Sequence, residues 1–151
     1  MDGGSRMNRL THILFAIALA VSTGLLADKT RAIYALPIAL SSIAPDADLR
    51  LLHRKLFHNI FVPLLISVSL LFLPPLLGVN AQLLAVSVLI GWFSHIALDA
   101  VTVKGVYPLY PLLNAKVSLG VCKSNDMLWN AVFSATSTTA ILFYISKFAF
   151  S

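Results

Sequence analysis

The sequence predicts an all-α polytopic membrane bundle of four to five spans. Three observations predict it. Hydrophobic residues make up 58% of the 151-residue chain and charged residues only 11%, whereas a soluble domain of this size carries about 25% charged residues. The apolar residues fall in long blocks, which suits helices in lipid better than a single buried core. Most of the eleven Lys and Arg lie between those blocks and leave a net charge of +5, and cationic loops are the normal flank of membrane spans. An internal repeat or low-complexity segment is not visible, so residues 1–151 read as one domain.

The first block covers residues 10–27, behind Arg6 and Arg9. The same pattern would suit a secretory signal peptide. However, Leu25 stands where a cleavage site wants a small residue, so a retained first span is expected. Residues 60–78, 83–103 and 127–148 are three further blocks that approach the ~20 apolar residues needed for a crossing. Residues 32–44 are shorter and contain Pro37; they could cross a thinned region, or enter and leave on one side. Pro74 and Pro75 end the second long block, and 79–82 form a tight uncharged turn, which makes a helical hairpin of its neighbours.

Two polar stretches remain, 45–59 (PDADLRLLHRKLFHN) and 104–126, which begins KGVYPLYPLLN. Tyr107 and Tyr110 suit the membrane interface, as does Trp129 at the start of the last block. With a cytoplasmic N-terminus and a crossing at 32–44, two Lys or Arg at the N-terminus, three in 45–59 and three in 104–126 lie inside, against three outside. The tendency of cytoplasmic loops to carry these residues therefore places both polar stretches in the cytoplasm. The chain is expected in the cytoplasmic membrane, with membrane lipid as its neighbour. Nucleic acid is a poor partner for this basic chain because it has no polar domain to carry a basic stripe. Cys122 is alone, so an intrachain disulfide framework is excluded. The oligomeric state leaves no signature in the sequence.

All six acidic residues are Asp, and the four His lie near them or at block ends. His95 and Asp99 are four apart, on one side of a helix. There they could hold one cation, or Asp99 could orient a ligating His95. The plainer alternative is a hydrogen bond that ties helices together. An Asp in a membrane helix costs ~2.5–3.5 kcal/mol on insertion scales, which argues for a partner. His53 and His58 point ~140° apart on an ideal helix, so they could flank a site only if the helix breaks near Phe57, or serve two neighbouring ions. Arg54 shares a face with His58 and would suit a phosphate; its ordinary role would be a solvated charge. Asp46 follows Pro45 and could simply cap a helix. Asp48 lacks that explanation, although it could offset Arg50 or Arg54. His12 alone would pass for an interfacial histidine, and Thr102 and Lys104 for loop residues. Together, imidazole and carboxylate donors from three segments suit Zn, Mn or Fe, as one ion or two.

The ordered set Thr11-His12, Pro45-Asp46-Ala47-Asp48, His53-Arg54-x-x-x-His58 and His95-x-x-x-Asp99-x-x-Thr102-x-x-Gly105, followed by Tyr110-Pro111, resembles the YdjM family. Those are membrane-bound metal-dependent hydrolases, some of them LexA-regulated, distantly similar to zinc-dependent phospholipase C. The resemblance implies a divalent metal, zinc foremost, held among His12, Asp46, Asp48, His53, His58, His95 and Asp99. Lys55-Leu56-Phe57 stands where the family usually has a Gly-x-Thr step, and Asn59 where it commonly has Ser. These departures bear on substrate more than on metal.

The expected activity is hydrolysis of a phosphoester, with a phospholipid headgroup as one candidate substrate. A nonligating Asp48 or Asp46 would take the proton and Arg54 would neutralise the phosphate. Two other classes stay open. A transporter or ion-conducting protein would use the same His and Asp near the bilayer midplane, and a noncatalytic module would use a closed four-ligand metal to fasten its helices.

Overall fold

The computed structural model describes residues 7–26, 28–47, 57–72 and 79–149. They form five α-helices: α1 (Arg9–Ser22), α2 (Ala35–Ile43), α3 (Phe61–Leu71), α4 (Ala81–Val101) and α5 (Met127–Ala149). Single 3-10 turns at Lys29–Tyr34 and Ala44–Ala47 flank α2. Helices α1, α2 and α3 all pack on α4, and α5 packs on α1. The all-α expectation holds, but the span count does not. Among the described residues only α4, over Ala81–Val101, and α5, over Met127–Lys147, are long and apolar enough to cross a membrane. The four-to-five-span bundle is therefore corrected to two, and the assignment of the metal site to the cytoplasmic face falls with the crossings it was counted from.

The reason lies in how the other helices end. A hydrocarbon core of ~30 Å needs about 20 helical residues. Helix α1 stops after 14 residues, or about 21 Å. Thr23 N–H donates to Leu19 O, Gly24 N–H to Val21 O and Leu25 N–H to Ala20 O, with Gly24 at φ +76. This is a Schellman stop, in which glycine takes the left-handed conformation and the last carbonyls find donors. Leu25 then folds back onto Ala20 and Ile38 in the core, so the apolar run to residue 27 is partly loop. Helix α2 has nine residues and holds Pro37 in its first turn, where a missing N–H is harmless. Within the described residues α3 has eleven, and the Pro74–Pro75 end assigned to its block lies outside them.

Helix α4 is the axis of the bundle, with half of its span-length window buried, against 6% for α5. It starts where Asn80 Oδ1 accepts from Gln82 N and Leu83 N, while Asn80 N–H donates to Tyr34 Oη. Its last carbonyls are satisfied by the returning 102–126 loop: Leu119 N–H donates to Ala100 O, Val121 N–H to Val101 O, and Ser118 Oγ to Thr102 O. Such a cap is needed where water is scarce. The loop is pinned by reciprocal bonds between Val106 and Val117. Gly105, at φ +62, has no room for a Cβ against Val117 O. Asp126 then opens α5 by accepting from Leu128 N and Trp129 N.

At Gly91 the α2 and α4 backbones come together, because a Cβ there would collide with Ser41 Oγ and Ile38 O. Small residues permit such approaches between membrane helices. Gly91→Ala should therefore lower stability by about 1–3 kcal/mol, the usual cost of overpacking, read as a reduced thermal midpoint of the helical signal in detergent. A second expectation concerns Cys122, which is 4% exposed. Burial pushes its thiol above the ordinary range, and the nearby Asp126 charge adds to the shift. Because the thiolate is the nucleophile, iodoacetamide should label native protein slowly at pH 8 and speed up only at higher pH, while denatured protein labels near the free-thiol pKa of ~8.5.

Candidate metal centre

Three parts of the fold carry ionisable side chains into one buried place. Helix α4 brings His95 and Asp99, α1 brings His12, and the two segments flanking 48–56 bring Asp46 and His58. All are nearly inaccessible: His12 1%, Asp46 6%, His58 2%, His95 0% and Asp99 1% exposed. Burying that many ionisable groups is costly unless they are neutralised together.

Each is held by its own anchors. Helix α1 is tied to α5 through Asn130, whose Oδ1 accepts from Asn8 N and Thr11 Oγ1; Thr11 Oγ1 also lies 3.1 Å from Ser134 Oγ. Asn130 Nδ2 donates to Ser124 O and Asp126 O. His12, next to Thr11, is thereby turned into the bundle, where its ring stacks on His95 with centroids 4.0 Å apart. His58 is fixed on both sides. Trp92 Nε1 donates to Phe57 O at 2.8 Å, and Ile60 N–H donates to Pro108 O at 2.9 Å. Asn59 Oδ1 accepts from Phe61 N and Val62 N, so the residue that departs from the common Ser starts α3. His95 rests on α2, its Nδ1 2.7 Å from Ser42 O.

That last contact settles a proton. A carbonyl only accepts, so Nδ1 of His95 carries the hydrogen and Nε2 presents a lone pair. Nε2 of His95 lies 3.2 Å from Nε2 of His58 and 3.6 Å from Oδ2 of Asp99, and His58 Nε2 lies 3.4 Å from the same oxygen. The three atoms make a triangle. In a tetrahedral site with bonds of ~2.1 Å, ligand atoms stand about 3.4 Å apart. The observed edges bracket that value, so the donor set fits a divalent cation. His12 Nε2 lies 3.8 Å from Asp99 Oδ1.

Two overlapping groups, His12–His95–Asp99 and Asp46–His58–His95, each bring their ligand atoms within 4.8 Å of one another. Either could chelate a divalent metal. The structure thus gathers five of the seven sequence-derived metal candidates. Asp48 and His53, the other two ligand candidates, and Arg54, the arginine expected to meet a phosphate, lie outside the described residues. Ser42, Trp92, Pro108 and Asn130 escaped the sequence reading. Three of them act through backbone carbonyls or indole, which carry no ligand signature. Asn130 only looks polar within an apolar block.

Fold and site together define an integral membrane helical protein with a buried His/Asp cluster able to bind metal. Residues 7–149 match the family model described as YdjM inner membrane protein, which is nearly the whole chain. The chain belongs to this family and is an integral protein of the inner membrane. Neither the curated proteins nor the solved structures contain a match to it.

Purified protein is expected to carry metal, and His95→Ala and Asp99→Ala to lose it, measured by elemental analysis. Trp92→Phe keeps an aromatic ring, though a smaller one, and frees Phe57 O. It should weaken metal binding about tenfold, the lower end for an outer support of a ligand, by competition with a chromophoric chelator.

Proposed function

We propose that this protein is a membrane-bound metal-dependent hydrolase of phosphoesters, with phospholipid headgroups as its first substrate class. The reading is carried by one observation: five imidazole and carboxylate donors converge beside the C-terminal half of α4, more than the four that close a structural site. His95 and Asp99 precede the C-terminus of α4, Val101, by six and two residues, or about 9 and 3 Å along the axis. Asp99 therefore lies close to a span end, where phosphates lie, and His95 lies between that end and the helix midpoint at Gly91. The position of Asp99 speaks against a transporter site, which sits at the midplane.

Zinc suits the mixed donors best, with Mn or Fe as substitutes. When bound, one or two such ions would lower the pKa of water toward ~7 and polarise a phosphoryl oxygen. His95, His58 and Asp99 would be the core ligands, and His12 and Asp46 could hold a second ion. His53 completes the ligand set that the family resemblance implies. Asp48, two residues past Asp46, is left to accept the proton of the attacking water. Arg54 grips the phosphate through parallel N–H donors.

The near-complete burial of all five donors favours a second reading, a metal that only fastens helices. One experiment separates the two. Purified protein is assayed on phosphomonoesters, phosphodiesters and phospholipids, with and without a chelator. Hydrolysis that is lost in Asp99→Ala, and reduced about 10²-fold or more in Asp48→Asn with metal retained, is expected for a general base. Full metal content without turnover on any member of the panel would leave the structural reading standing.

A further inference from the structure

Side chains 111–120 are all exposed, ten in a row. A loop meant for water would be polar there, but this one displays Leu112 at 80%, Leu113 at 54% and Leu119 at 69% exposure. Its backbone is not loose. The Val106–Val117 pair, Ser118 Oγ to Thr102 O, and the Leu119 and Val121 bonds to α4 carbonyls hold it against the end of α4. The polar main chain is thus turned inward and the apolar side chains outward. The surface continues onto the start of α5 through Met127 and Leu128, 87% and 70% exposed. Both helices it joins are long and apolar enough to cross a membrane, so the loop lies at a bilayer face by continuity.

The charge on this face is mostly positive. Lys104, Lys116 and Lys123 are exposed around the leucines, while the loop's Asp126 is engaged in capping α5. Apolar side chains flanked by lysines match a layer of anionic headgroups over acyl chains. A second copy of this chain would bring the same lysines against themselves.

We propose that residues 109–128 form a docking surface for anionic phospholipid headgroups, with Leu112, Leu113 and Leu119 entering the acyl boundary and Lys116 and Lys123 meeting phosphates. This is independent of the hydrolase reading. It is tested on the full chain in liposomes of phosphatidylcholine with or without phosphatidylglycerol. Nitroxide labels at Leu112→Cys and Leu119→Cys, in a Cys122→Ser background, report depth by collision with oxygen and with a water-soluble nickel chelate. Leu142→Cys on α5 serves as the hydrocarbon reference. The labels should read at the phosphate to upper-acyl level. Spin-labelled phosphatidylglycerol should associate in preference to phosphatidylcholine. Each of Lys116→Gln and Lys123→Gln should cut that preference by up to about fivefold, and the Arg variants should keep it. Free access of the nickel chelate to both labels would overturn the proposal, as would shielding of both labels from both reagents, which means a protein cover. An unchanged lipid preference in the double Gln variant would overturn the headgroup assignment.

Discussion

His95 donates its Nδ1–H to the Ser42 carbonyl across the α2–α4 crossing, and that single bond depends on Gly91 having no side chain. With α2 a few tenths of an ångström farther out, the carbonyl would leave the imidazole. The ring would then be free to change tautomer, and its Nε2 would no longer be held toward His58 and Asp99. The site is therefore built from the backbone inward. A glycine sets how near two helices come, the approach puts a carbonyl behind an imidazole, and the carbonyl decides which nitrogen faces the cluster.

The same economy governs the remaining donors. In an apolar bundle, ionisable groups persist only where neighbours hold them in a set that can be neutralised as a whole. Asn130 ties the N-terminal end of α1 to α5, Trp92 fastens the carbonyl before His58, and the 102–126 loop satisfies the carbonyls just past Asp99. Each removes a freedom that would let one ligand swing away and strand the others without compensation.

Much of the site was legible in the sequence because its chemistry is local. His95 and Asp99 share a helix face by spacing alone, and an intramembrane Asp demands an explanation. The convergence of His12, Asp46 and His58 on them was legible as a possible meeting of three segments and was supported by family resemblance, since no spacing rule links residues 12, 46 and 95. The number of spans was misread for a definite reason. Hydropathy counts apolar residues and is blind to where a helix stops. Leu25 is as apolar as any residue in the block 10–27, yet Gly24 ends α1 before it and Leu25 packs back into the core. In 32–44 Ile38 is wholly inaccessible against α4 while Ile33, Leu36 and Leu40 are exposed, so the block is apolar on both sides, yet α2 has only nine residues. Protein interior and lipid exert the same selection on side chains, so composition cannot separate them.

The 102–126 loop brings these arguments together. It is bonded to α4 just beyond Asp99 through Leu119 and Val121, and to the start of α3 just beyond His58 through Pro108. All three atoms in the ligand triangle thus belong to segments that the loop holds in register. Its outer surface is apolar and cationic, and its inner surface is a row of backbone bonds. A force on the loop from a headgroup layer would be delivered to both segments at once, because Gly105 and the Val106–Val117 pair leave the loop little room to yield between them. The spacing of His58 and Asp99 is in this sense a property of the membrane-facing loop as much as of the helices that carry the two side chains.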